Sequence, residues 1–138
     1  MNAMKLITTI ARYLLGLIFV VFGLNFWLQF LTVPSPPEGS LAAGFIGAIY
    51  LSGFLAVVKV FEVAGGILLL AGRYVNLALA VVGPIAVVIV MYHVLILEAG
   101  YGMAALIGIL AITALAGRRD LSPLSLPRSN LSQSARLY

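Results

Sequence analysis

The chain has 138 residues, of which 63% are hydrophobic and 9% charged, and a formal net charge of +4; its mean hydropathy is +1.17. Soluble domains carry nearer ~25% charged residues, so this composition excludes an ordinary water-soluble fold and points to a single membrane domain. The lack of cysteine excludes thiol–disulfide exchange, thiolate zinc sites, iron–sulfur ligation and covalent haem attachment through this chain.

A spanning helix needs about 20 mostly apolar residues, and the first such run extends from Leu6 to Leu31. It has a basic start, but it is far longer than a ~7–15-residue signal core, and no small-x-small cleavage site precedes the following loop. It is therefore read as an uncleaved span. The loop Thr32-Val33-Pro34-Ser35-Pro36-Pro37-Glu38-Gly39-Ser40 is not helical, because proline removes donors and restricts the residue before it. From Leu41 to Ala71 the chain is apolar for about 31 residues, long enough for roughly 46 Å of helix and so more than one bilayer thickness. The excess predicts a short surface or re-entrant helix over Leu41 to Tyr50, with Ser52-Gly53 as the bend into a second span, Ser52 to Ala71. One long tilted helix is the alternative. Gly72-Arg73 leads into a third span, Tyr74 to Leu97, and Glu98-Ala99-Gly100 separates it from a fourth, Tyr101 to Ala116. The runs are continuous instead of alternating, which excludes a β-barrel. The expected fold is all-α: a four-transmembrane-helix bundle over residues 1–117, then a cytoplasmic tail over 118–138 rich in Ser, Leu and Pro.

Cations near the span ends set the orientation. Lys5, Arg73, Arg118 and Arg119 fall on one side, with Arg128 and Arg136 in the tail, while the opposite loops offer Glu38 and Glu98 and no cation. The positive-inside rule puts both termini in the cytoplasm. In a soluble protein the basic balance would suggest nucleic acid; here topology and anionic lipid account for it, so the expected partners include membrane lipids and no nucleic acid.

An ionisable group in hydrocarbon costs several kcal/mol unless it is paired or faces a cavity. Lys59 and Glu62 lie within the second span, and His93, the single histidine, lies within the third. Counted from the outer face, Lys59 and Glu62 sit about 10 and 15 Å deep and His93 about 6 Å. Asn25 and Gln29 occupy the same outer half of the first span, so five polar residues from three helices converge in one leaflet. Lys59 and Glu62 are three apart and in reach of each other, and Asn25 and Gln29, four apart, share a face. Tyr92 is expected about 100° away from His93, on another face. Two readings stand for the Lys59–Glu62 pair: self-neutralisation inside the bundle, or a ligand or proton site. His93 suits a hydrogen bond to a quinone carbonyl or a proton transfer, because imidazole titrates near neutral pH. No metal-ligand spacing is present, and no metal site is expected. In the inner half, Arg12 either snorkels or caps a neighbouring helix end, or joins Arg73 in holding an anionic lipid headgroup.

Small residues outline the packing. Gly65-Gly66 gives the second span a surface for close backbone approach, Gly16 and Gly23 share a face of the first, and Gly102 with Gly108 does something similar in the fourth. Gly83-Pro84 is expected to kink the third span. Phe26, Trp27, Tyr50, Tyr92 and Tyr101 fall toward the outer face as an aromatic belt.

Arg12, Leu14-Leu15-Gly16 and Phe22-Gly23 in the first span, with Lys59-Val60-Phe61-Glu62-Val63-Ala64-Gly65-Gly66-Ile67-Leu68-Leu69-Leu70-Ala71-Gly72 in the second, resemble the DoxX-like family of small four-helix membrane proteins. The most specific piece is the Glu-x-x-Gly-Gly segment at Glu62, Gly65 and Gly66. The resemblance implies a four-helix bundle in a bacterial inner membrane. Some members of that family are subunits of thiosulfate:quinone oxidoreductase, and others are linked to membrane oxidoreductase systems that counter oxidative stress.

Two functions are compatible with the sequence. In the first, a redox-associated subunit binds a quinone or another lipophilic ligand in the outer half of the bundle: Glu62 and His93 handle protons, Lys59 sets the charge, and Asn25 or Gln29 orients a carbonyl. Electrons would come from a partner, since the chain carries no nucleotide, flavin or metal motif. In the second, a non-catalytic accessory subunit packs through its glycine faces against a larger membrane complex or a second copy. Transport carries less weight, because the paired broken helices of transporters are missing.

Overall fold

The structure, a computed structural model, describes residues 2–118. Among them it is all-helical: α1 (Ala3–Leu28), α2 (Leu41–Leu51), α3 (Phe54–Ala71), α4 (Val75–Met91), which continues as a π-helical turn (Tyr92–Leu97), and α5 (Tyr101–Ala116). The expected tail lies outside the described residues from position 119 onward. Three helical stretches are long and apolar enough to cross a membrane: Ala3–Leu28, Phe54–Ala71 and Val75–Leu97. Helix α5, at 16 residues, falls short of the ~20 residues that a bilayer core asks for.

Each break has a local cause. Asn2 accepts the Lys5 N–H at 2.9 Å and caps the start of α1. At its other end Gln29 turns left-handed (φ 50°) and closes the helix with its N–H on the Asn25 carbonyl. Ser40 caps α2 by accepting from the Ala43 N–H at 3.1 Å. The long apolar run does not form one tilted helix. It breaks where Gly53 takes φ +78°, and the Ser52 hydroxyl accepts the Phe54 N–H at 3.3 Å. Helix α4 continues through Pro84 without interruption, so the proline leaves it helical.

Helices α1, α3, α4 and α5 pack in a ring, α1 and α4 each touching both α3 and α5, while α2 leans on α3 and the π-turn. Neighbours run antiparallel, so the starts of α1 and α4 share an end with the finishes of α3 and α5. Lys5, Arg12, Arg73 and Arg118 belong to that basic end; Glu38, Glu98 and α2 belong to the opposite, acidic end. The core contains Leu15 and Phe19 of α1, Leu69 of α3, Val82 of α4 and Ile107 of α5. Outside, large apolar side chains including Ile7, Leu17, Val60, Ile67, Val87 and Ile112 are exposed along the helices. Water-soluble chains rarely expose contiguous apolar surface of this kind, whereas a lipid-facing exterior requires it.

The closest crossing is between α1 and α3. A methyl group at Gly66 would meet the Gly16 carbonyl at 2.8 Å, and one at Gly16 would meet the Gly66 carbonyl at 2.9 Å, so the backbones touch directly. Gly23 faces Val63 and Glu62, and Gly65 faces Val82 of α4. The Gly102–Gly108 pair does not make a similar face: Gly102 looks onto open space and Gly108 onto Val90 of α4.

Gly66→Val should lower the stability of the bundle by about 1–3 kcal/mol through overpacking against backbone, read as an earlier midpoint in an SDS unfolding titration. Gly47→Ala, at a position with nothing within 4 Å, should leave that midpoint unchanged.

Candidate functional site

Lys59 lies one helical turn before Glu62, and its ammonium meets both carboxylate oxygens, Oε1 at 3.1 Å and Oε2 at 2.9 Å. Glu62 is 3% exposed, because Gly23 lets α1 lie against its Cβ. A buried carboxylate is tolerated when a partner neutralises it and satisfies its lone pairs. Two of the three ammonium protons of Lys59 point at Glu62, leaving a third for another acceptor.

His93 lies in the π-turn. Its Nδ1 is 2.8 Å from the Ile89 carbonyl. A carbonyl only accepts, so Nδ1 carries a proton and donates. The other edge of the imidazole faces Gly100, whose φ is +69° and where an added methyl group would lie 2.8 Å from Cδ2. Tyr92 does not occupy a separate face: its ring contacts His93 edge-on at 5.3 Å and stacks on Phe45 of α2 at 5.8 Å. The π-turn accounts for the difference, since its i→i+5 bonding changes the angular step between successive side chains.

Lys59, Glu62, Ile89 and His93 form a wall shared by two apolar cavities. The first, of about 360 Å³, lies inside the ring, lined by Phe19 and Phe22 of α1 and Ile107 of α5, and roofed by Thr32, Val33 and Pro34. The second, of about 370 Å³, lies between α2, α3 and α4 and is lined by Phe45, Ile49, Phe54 and Tyr92. Both sizes fall in the ~300–1,000 Å³ range of small-molecule sites, which combine apolar walls with a few convergent polar groups.

Asn25 and Gln29 are placed differently. Asn25 is buried, and its amide closes a ring with the backbone of Leu31, accepting the Leu31 N–H at 2.7 Å and donating to the Leu31 carbonyl at 3.1 Å. This clasp lays Thr32–Pro34 over the inner cavity. Gln29 is exposed and lines neither cavity: residues four apart share a face only while the helix continues, and α1 has ended at Leu28. At the basic end Arg12 reaches the terminus of α3, where a methyl group on Gly72 would lie 2.6 Å from its Nη1, and its guanidinium sits 4.6 Å from the Tyr13 ring centre. Arg73, next to Gly72, is exposed and does not line the pocket that Arg12 shares with Lys5 and Arg118. Among the described residues no three His, Cys, Asp or Glu side chains gather closely enough to hold a metal ion.

The roof, the phenylalanines of the inner cavity and the part played by α2 are absent from the sequence reading. Asn25 held the usable signal, since an amide in the last turn of a helix that runs into a proline-rich break is placed to clasp the departing backbone. Comparison of the chain with protein-family models, with curated proteins and with solved structures finds no match.

Lys59→Met alone should cost about 3–5 kcal/mol, because it strands a buried carboxylate. Lys59→Met combined with Glu62→Leu should recover most of that loss, and unfolding titrations of both variants in mixed micelles measure the difference.

Proposed function

We propose that this chain is a four-span, DoxX-like protein of a bacterial inner membrane with both termini cytoplasmic, a redox-associated subunit that binds a quinone or another lipophilic ligand beside Glu62. The observation that carries the reading is the pair of apolar cavities sharing the wall of Lys59, Glu62 and His93. A lipophilic ring system gains from the apolar lining, and a ring carbonyl can accept the remaining Lys59 proton. Reducing a quinone takes two electrons and two protons. His93 lines both cavities and relays the two protons one after the other from the aqueous face at the acidic end, and Glu62 holds the Lys59 ammonium in place. The electrons come from a membrane-protein partner. Asn25 has both ends of its amide engaged with Leu31, so it serves the site by holding the roof, and carbonyl orientation falls to Lys59. Helix α5 is read as the fourth span because it runs beside α1 and α4, which belong to two of the spanning stretches; with all basic helix ends together, the positive-inside rule gives the orientation.

The second reading, a non-catalytic accessory subunit, is favoured by one feature. A groove of about 550 Å³ between α4 and α5, lined by Gly83, Pro84, Gly108 and Ala111, lies on the apolar exterior, where small residues admit another membrane helix. The glycines at 16, 23, 65 and 66 are occupied inside the bundle and leave this groove as the docking face.

Purification in mild detergent, followed by mass spectrometry of co-purifying small molecules and proteins, separates the two. The redox reading expects a quinone retained by the wild type and lost from Glu62→Gln; a stoichiometric protein partner retained by both, with no small molecule, would establish the accessory role. The topology has its own check, because the chain has no cysteine. A single cysteine at Ser35 should react with a membrane-impermeant maleimide on intact spheroplasts, and one at Asn2 only after permeabilisation.

A further inference from the structure

A third cavity lies at the other end of the molecule from the Glu62 wall. It has a volume of about 320 Å³ and is lined by Lys5, Thr8, Thr9 and Arg12 of α1, Val75 and Leu79 of α4, and Ala114, Gly117 and Arg118 at the close of α5. Three cations converge on it, and no carboxylate lines it among the described residues, where the only ion pair is Lys59–Glu62.

The fold holds these cations in place. A methyl group on Gly117 would lie 2.7 Å from the Thr8 side chain, so the end of α5 is pressed against the first turns of α1. The Arg118 N–H donates to the Leu115 carbonyl at 3.0 Å and keeps that terminus wound. Arg12 is held between Gly72 and the Tyr13 ring. The Thr8 hydroxyl donates to the Lys5 carbonyl at 3.1 Å, which commits its proton to the helix. Donors for a ligand are therefore the ammonium of Lys5, the guanidinium groups of Arg12 and Arg118, and the Thr9 hydroxyl. The floor is apolar, with Val75, Leu79 and Ala114 all buried.

Like charges gathered at the rim of a low-dielectric bundle repel one another, and an anion bridging them removes that penalty. Guanidinium groups match the geometry of a phosphate, and an ammonium adds a point charge. We propose that this pocket is a binding site for a phosphate group, separate from the Glu62 cavities and independent of what they hold. The phosphate belongs either to an anionic lipid headgroup at the membrane surface or to free inorganic phosphate. Arg73 is the built-in control: it is a cation at the same end of the bundle but outside the pocket.

The test uses the full chain, delipidated in an uncharged detergent, and follows its thermal unfolding by Trp27 and tyrosine fluorescence during titration with phosphatidylglycerol, phosphatidylcholine or inorganic phosphate. Saturable stabilisation by phosphatidylglycerol and not by phosphatidylcholine is expected. Arg118→Gln, and independently Lys5→Gln, should each weaken it about tenfold, while Arg73→Gln leaves it unchanged. Stabilisation by phosphatidylglycerol alone assigns the site to lipid; a saturable effect of inorganic phosphate lost in the same two variants assigns it to the free anion. Equal stabilisation by phosphatidylcholine and phosphatidylglycerol with no phosphate effect, or equal weakening by Arg73→Gln and Arg118→Gln, would overturn the proposal. Circular dichroism of each variant confirms that a weakened response comes from a folded bundle.

Discussion

The backbone contact between Gly16 and Gly66 fixes the spacing of α1 and α3, and the polar site depends on it. With two glycines at the crossing, the helices approach until carbonyl and Cα touch, a distance that side chains of any size would forbid. Carried along the helices, that closeness brings Gly23 against Glu62 and removes the carboxylate from its surroundings. A carboxylate so enclosed needs a counter-charge within its own reach, and Lys59 supplies it from the preceding turn. Packing and electrostatics are thus one arrangement: the glycines create the burial that makes the ion pair necessary.

Continuous apolar segments were the part of the fold most legible in sequence, because length and hydropathy alone locate them. The break at Ser52-Gly53 was also readable, since more than thirty apolar residues exceed what one bilayer holds and a glycine offers the left-handed turn. Convergence of Lys59, Glu62 and His93 followed from their depth along adjacent helices, and they do line the same cavities. What depth could not supply was azimuth. Gln29 lay at the right height, but α1 ends one residue earlier. Tyr92 lay on the wrong side of an ideal α-helix and reaches the site through a π-turn. The company of Arg12 was obscure for a similar reason: Arg73 is near the same membrane level, but the approach of α5 onto Thr8 brings Arg118 instead.

The two ends of the bundle handle charge differently. Toward the acidic end Glu38 and Glu98 are exposed, while Lys59 and Glu62 compensate each other among apolar side chains. At the basic end the charges among the described residues are of one sign, and Lys5, Arg12 and Arg118 gather at a rim. An internally neutral site suits lipophilic occupants, whereas a rim lined by three cations suits an anion.

The contact between His93 and Gly100 places two demands on one position. Gly100 starts α5 from a left-handed conformation and also forms the ceiling above the imidazole. Any other residue there is opposed twice, once by its own backbone geometry and once by collision with the ring. Although it lies in an exposed three-residue connection, position 100 therefore accepts a side chain only if the imidazole moves aside, and displacement of α5 relative to α4 is transmitted to the histidine without an intervening side chain.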